Sequence, residues 1–456
     1  MQRICRPVRV LAWVACVFTF FLIAFGAFVR LSDAGLSCPD WPTCYGRITW
    51  PVKPAAIAKA DRAFPHRPVE THRAWREQVH RFLAGTLGVL VLTEALAATW
   101  IRRRRFGLVI LAVVLVGIGI PLYMARDYVS SSVVAALGEA LLLAVALFWR
   151  GGGWRRVAVL ALAVVCFQAL LGMWTVTMLL LPIVVTGHLL GGLLTFALLA
   201  WLACWLSMRV AGGRVGTTGA LSVPRSGEVS EGVAQRWSEA AAEFSSVRDR
   251  TRWKGLLAAG IVGLALLSGQ IFLGGWTSTN YAALACGVGG AAFPECLGHW
   301  WPTMNFHQGF ILLRHIGVDY QGGVLDAAAR TAIQMAHRIG AIVVLVYLLW
   351  LAHRVGRAGM RWHAVALAVV VIAQVVLGIA QVVLGLPLWV AAAHTAGAAL
   401  LLFVVVALLV RTVSMRSSMI AASSGAAGHR AQSAMEDQNG LPWPDFPQQP
   451  RAGGVE

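Results

Sequence analysis

Ten stretches of roughly twenty apolar residues follow one another along this chain, near 10–30, 79–100, 107–124, 131–149, 157–177, 183–206, 254–275, 333–352, 363–384 and 388–411. A helix rises about 1.5 Å per residue, so each run is long enough to cross the ~30 Å hydrocarbon core of a bilayer. Lipid offers no partner for open backbone N–H and C=O groups, which leaves helices as the structure such runs can adopt. Composition agrees: 58% of residues are hydrophobic and only 13% charged, with a mean hydropathy of +0.70. The expected fold class is an all-α polytopic membrane protein. The first run follows Arg3, Arg6 and Arg9 and is too long for the apolar core of a cleaved signal peptide, so it is read as a spanning helix.

The net charge of +18 comes almost wholly from arginine. Arg102–Arg105, Arg150, Arg155, Arg156, Arg354, Arg357 and Arg361 fall in short connections, whereas the turns near 178–182 and 385–387 carry no Lys or Arg. The bias of basic residues toward the cytoplasmic side puts those connections and both termini in the cytoplasm of a bacterial-type inner membrane. Loop 31–78 departs from this pattern, since it holds several basic residues on the predicted outer face. The basicity is thus a matter of topology, and no nucleic-acid partner is expected.

Of eight cysteines, Cys5, Cys16, Cys166 and Cys204 lie in or beside apolar runs and read as small hydrophobes. Cys38 and Cys44 share one predicted outer loop, and Cys286 and Cys296 share another. Two local pairs on an oxidising side suggest two disulfides. CPDWPTC and CGVGGAAFPEC match neither CxxC nor CxxCH, which makes zinc binding and covalent haem attachment the weaker readings.

The chain repeats itself. A basic linker at 207–252, expected to be cytoplasmic and poorly ordered, separates an N-terminal half (1–206) from a C-terminal half (253–411), and a tail at 412–456 is expected to be disordered. Each half has a helix, a long outer loop with a cysteine pair, a helix opening with His-Arg, and a last helix with one histidine. QALLG (168–172) and QVVLG (374–378) each begin 20 residues before that last histidine, His188 or His394. His80 and His188 are 108 residues apart but His337 and His394 only 57, a difference matching an inserted helical hairpin at about 102–152. The architecture expected is two pseudo-symmetric four-helix-bundle halves plus that hairpin.

Polar residues within a bilayer are costly and usually face a site. His80, His188, His337 and His394 should lie at similar depth near the outer face, and two imidazoles from different helices suit the axial positions of a haem iron. The pairs could form within the halves, His80 with His188 and His337 with His394, or across them. Zinc is a poorer match, because it prefers a tighter ligand cluster. Arg81 and Arg338 follow their histidines and suit either of two compatible roles, as interfacial anchors or as forks for haem propionates. Glu77 shares a helix face with His80, while the second half has Gln334, which cannot ionise. A carboxylate near an iron can stabilise positive charge or move protons; the structural alternative is a glutamate at a helix start. The asymmetry suggests one reactive half and one storage or electron-transfer half. Glu94 is expected to pair with Arg102–Arg105 at the inner face.

GLSCPDWPTCYG (35–46), EQVHR (77–81), QALLGMWTVT (168–177), VVTGHLLGG (184–192), CLGHWWPTMNFHQGF (296–310), AHRIGA (336–341) and AAAHTAG (391–397) together resemble the haem A synthase family, membrane enzymes that convert haem O to haem A. The resemblance runs from about residue 10 to 411, apart from the hairpin, linker and tail. It implies haem b held in the C-terminal half by His337 and His394. It implies haem O as substrate near His80 and His188 in the N-terminal half, with Glu77 important for oxidation of the C8 methyl to a formyl group. Partners expected with such an activity are haem O synthase, a membrane or quinone electron carrier, and a second copy of the chain. The usual family core has eight helices, so the hairpin is a departure. His299, His307 and His315 in the outer loop read as interfacial or loop-packing residues. Two rival classes are a di-haem b, quinol-oxidising electron-transfer subunit, which would stack ligands at both membrane faces, and a transporter with a histidine proton relay.

Overall fold

The computed structural model describes residues 2–149, 153–215 and 231–439. Twelve α-helices run in order: α1 (Gln2–Leu31), α2 (Pro54–Ala63), α3 (Thr71–Thr99), α4 (Arg103–Met124), α5 (Tyr128–Leu147), α6 (Gly153–Thr177), α7 (Pro182–Val215), α8 (Glu231–Thr279), α9 (Phe306–Gly309), α10 (Ala327–Arg357), α11 (Arg361–Val383) and α12 (Leu388–Asn439). All but α2 and α9 contain a segment long and apolar enough to span a membrane, which gives ten such helices among the described residues. The protein is a multi-pass, all-α membrane protein. The described residues within 2–215 and 256–411 form one compact unit, which carries everything discussed below. A second unit contains the N-terminal part of α8, 231–255, and the C-terminal part of α12, 412–439. Of the linker and tail expected from sequence, 216–230 and 440–456 lie outside the described residues.

In the N-terminal half, α1 packs on α3 and α7, and α6 packs on α3 and α7, closing a four-helix bundle. The hairpin α4–α5 lies beside it against α3 and α6. Its two helices approach closely because small residues meet: a Cβ on Gly138 would stand 2.6 Å from the Ala112 carbonyl oxygen, and the Ser131 hydroxyl donates to the Gly119 carbonyl at 2.7 Å. In the C-terminal half, Gly263 of α8 receives Leu348 and Leu351 of α10, Gly260 receives Leu409 of α12, and α10 packs on α11. The halves meet along α7 and α8, where the Thr186 and Thr279 hydroxyls are 3.2 Å apart. Phe403 of α12 also lies between Trp13 of α1 and Phe196 of α7.

Several boundaries differ from the sequence expectation, and two of them belong to the helices that carry the His-Arg pairs. α3 begins at Thr71 instead of 79 and α10 at Ala327 instead of 333, because hydropathy does not register the polar turns that precede each apolar run. For α10 the start is fixed by Asp326, whose carboxylate caps the Ala329 N–H at 2.7 Å. The His-Arg pairs therefore lie inside their helices, two to three turns from the start. The polar helix α2, within the first loop, has no hydrophobic signal and was not expected. α7 starts with Pro182 at its first position, where a missing N–H costs nothing.

Candidate functional site

At the loop-bearing end of the bundles, four histidines occupy equivalent stations. His80 of α3 and His188 of α7 lie within electrostatic reach of each other, as do His337 of α10 and His394 of α12. The structure thus pairs the imidazoles within halves, which sequence spacing left open. Each ring rests on a glycine of a neighbouring helix. A Cβ added there would meet the imidazole Cε1 at 2.9 Å for Gly26 and His80, 3.1 Å for Gly172 and His188, 3.1 Å for Gly274 and His337, and 3.0 Å for Gly378 and His394. Four glycines on α1, α6, α8 and α11 are therefore seats cut to the size of an imidazole.

The Nδ1 atoms of His80, His188 and His394 are buried without a hydrogen-bond partner. Unpaired polar atoms in a low-dielectric interior are expensive unless something further satisfies them. Two imidazoles per half, carried on different helices, are a donor set that a haem iron accepts. Among the described residues no group of three or more His, Cys, Asp or Glu clusters as a tetrahedral zinc site would require.

The loops above these stations also repeat. Cys38 is bonded to Cys44, and Cys286 to Cys296. Each bridge ends in a turn of matched form: CYGR (44–47) and CLGH (296–299) close with Cys44 N–H donating to the Arg47 carbonyl at 2.8 Å and Cys296 N–H to the His299 carbonyl at 2.9 Å. Tyr45 and Leu297 adopt φ of 55° and 56°, followed by Gly46 and Gly298 at 69° and 77°, so glycine stands second in each turn, where the left-handed backbone favours it. Arg81 donates to the carbonyls of Asp40 and Thr43, both at 2.8 Å. Arg338 donates to those of Ala292 at 2.6 Å and Glu295 at 3.1 Å. Both guanidiniums clamp a disulfide loop onto the helix that carries the adjacent histidine, so a propionate bound there would share them with loop carbonyls.

Asp40 holds the first loop from inside, accepting from Tyr45 N–H at 2.6 Å, from Gly46 N–H at 2.8 Å and from the Thr43 hydroxyl. Burial pushes the Tyr45 phenol up to about 12, with nearby carboxylates of Asp61, Glu77 and Glu70 adding to the effect. That hydroxyl lies 3.2 Å from the Arg67 and Pro68 carbonyls, to which it donates.

The halves differ at one residue beside this clamp. Glu77 is only 5% exposed, yet its carboxylate accepts from Cys38 N–H at 2.8 Å, from the Ser37 hydroxyl at 3.1 Å and from Arg81. It is a buried, fully partnered acid joined to the disulfide loop, not a solvent-facing helix-start residue. Its counterpart Gln334 is 3% exposed with an unpartnered Oε1. Ser37 and the Cys38 amide, both hydrogen-bond partners of Glu77, are not identified by the sequence because only the folded loop brings them there.

Other residues lie elsewhere. His299 and His315 are exposed in the loop between α8 and α10, and His307 is exposed on the single turn of α9. Glu94 is fully buried in α3 with both oxygens unpartnered, so the ion pair expected with Arg102–Arg105 is not made. Those arginines begin the next helix and its preceding turn, and Arg105 stacks over Trp149 at 4.2 Å.

Fold and site together define a class: a duplicated helical membrane bundle with one imidazole pair, one arginine clamp and one disulfide loop per half. A family model described as cytochrome oxidase assembly protein, COX15-CtaA, matches residues 9–121 and 123–406. A protein of Shewanella oneidensis called heme A synthase is 35% identical over 395 residues, covering 86% of this chain and 93% of that protein. The chain belongs to the COX15-CtaA family.

Proposed function

We propose that the protein is a haem A synthase, an oxidoreductase that oxidises the C8 methyl of haem O to a formyl group. The observation that carries this reading is a duplicated pair of imidazoles with an acid beside only one of them. In this reading His337 and His394 hold haem b in the C-terminal half, and His80 and His188 receive haem O, the substrate, in the N-terminal half. Bound haem iron supplies the redox chemistry.

The chain's own residues supply position and charge. The glycine seats fix each imidazole edge-on. Arg81 and Arg338 close the loops over the stations, and a bound propionate would share their guanidinium donors with the loop carbonyls. Glu77, oriented by Cys38 N–H, Ser37 and Arg81, places a carboxylate one helical turn from His80, where it can stabilise positive charge or exchange a proton. Gln334 offers neither service. This supports assigning oxidation to the N-terminal half and retention or electron transfer to the C-terminal half.

The arginine-rich connections lie at the helix ends opposite the disulfide loops. With basic residues inside and disulfides outside, the stations would sit near the outer face of a bacterial inner membrane with both termini cytoplasmic. Haem O synthase, a membrane quinone or other electron carrier, and a second copy of the chain are the partners this activity would use. All four stations at one depth argue against the rival di-haem electron-transfer subunit, which needs haems near both faces.

The test is haem extraction and mass spectrometry from cells making haem O, with and without this protein. Haem A appearing only in its presence is the expected result. Unchanged haem O beside folded protein supplied with its redox partner would refute the proposal.

A further inference from the structure

The four stations differ in one respect that the acid does not explain. At three of them a glutamine four residues before the seat glycine reaches across to the histidine's own helix. Gln270 Nε2 donates to the His337 carbonyl at 2.9 Å and lies 3.0 Å from that ring's Nδ1. Gln374 Nε2 donates to the His394 carbonyl at 2.8 Å and lies 3.4 Å from its Nε2. Gln168 Nε2 donates to the His188 carbonyl.

Each glutamine has room only because glycine stands three residues after the histidine. A Cβ on Gly340, Gly397 or Gly191 would collide with the Oε1 of Gln270, Gln374 or Gln168 respectively. Two short sequences therefore go together: QIFLG, QVVLG and QALLG on one helix, and HRIG, HTAG and HLLG on the other. The fourth station reads LIAFG (22–26) and HRFL (80–83), with leucines at both places. His80 keeps its glycine seat and the Phe25 ring at 6.3 Å, but no glutamine reaches across to its helix. Polar restraint on the imidazoles thus falls from the C-terminal pair, where ring and carbonyl are both approached, through His188, to His80.

We infer that Gln270, Gln374 and Gln168 are positioning residues that lock the imidazole-bearing helices at three stations. Leu22 and Leu83 leave His80 as the one imidazole whose helix no glutamine ties, so the N-terminal half is built to exchange its haem and the C-terminal half to keep it. This rests on the reading of the stations as haem sites.

The experiment uses full-length protein loaded with haem in detergent, with apomyoglobin as scavenger and the low-spin EPR signals distinguishing the halves. Gln270→Met and Gln374→Met keep side-chain length but remove the donor. Each is expected to speed haem loss from the C-terminal half about tenfold, the factor equivalent to ~1.4 kcal/mol, and to shift its EPR signal. Gln374→Glu, which replaces the donor by an acceptor at the same size, repeats the measurement should a methionine variant fail to fold. The converse pair Leu22→Gln with Leu83→Gly is expected to slow loss from the N-terminal half about tenfold. Haem bound normally, with loss rates and EPR unmoved in the glutamine variants, overturns the positioning role and leaves the haem sites standing. Wild-type protein that takes up no haem overturns both.

Discussion

Gly274 and Gly269 lie on the same helix, five residues apart, and the structure assigns opposite outcomes to the same change at each. An alanine at 274 would put its Cβ 3.1 Å from His337 Cε1 and 3.8 Å from both ring nitrogens. Ordinary carbon contacts begin near 3.5 Å, so the ring must retreat by a few tenths of an ångström. It has nowhere easy to go, because Gln270 holds the same histidine at both carbonyl and ring. Overpacking of this kind costs about 1–3 kcal/mol, or about 5- to 150-fold in an equilibrium constant. Alanine at 269 meets nothing within 4 Å and gains the better helix propensity, up to about 1 kcal/mol. Haem content and thermal unfolding of the two variants in detergent make the comparison. Gly274→Ala is expected to lose C-terminal haem with the helix content intact, and Gly269→Ala to match or exceed the parent. Equal haem retention in both would refute the seat.

Other consequences can be checked alongside. Glu77→Gln leaves one of the buried donors around the carboxylate facing an amide N–H, at a cost of about 1–3 kcal/mol; haem A formation is expected to fall while C-terminal haem stays, as haem analysis of the purified variant will report. His337→Ala or His394→Ala should each abolish the low-spin haem b spectrum of the C-terminal half; a full complement of haem would exclude that ligand pair. Replacing Cys38 by Ser removes a cross-link over a short loop, worth about 2 kcal/mol in the chain-entropy view, and should raise hydrogen exchange at residues 37–47 without affecting 286–299. Tyr45 titrates later in the fold than in the unfolded chain, so its contribution is full below pH ~10 and is lost as pH rises toward about 12. The phenolate can no longer donate to Arg67 and Pro68. Protection of the first loop should fall over that window, and Tyr45→Phe should abolish the dependence.

Much of this was determined by the sequence alone. Ten apolar runs dictate ten membrane-spanning helices, because a bilayer leaves the backbone no other way to satisfy its hydrogen bonds. The repeat of cysteine pairs, His-Arg and late histidines is likewise legible, since a duplicated fold retains a residue wherever each copy needs it. The glutamines were half legible: QALLG and QVVLG stand out 20 residues before their histidines, whereas QIFLG begins 67 residues before His337, across the outer loop. What the tertiary structure decided are the questions that depend on which helices become neighbours. It paired the imidazoles within halves, turned Arg81 and Arg338 onto loop carbonyls, and brought the Cys38 amide and Ser37 to Glu77. It also left Glu94 without the arginines that sequence proximity suggested. Hydropathy measures how each residue meets lipid or water, but a hydrogen bond between α8 and α10, or between a loop and α3, depends on directions and distances that exist only once the helices have packed.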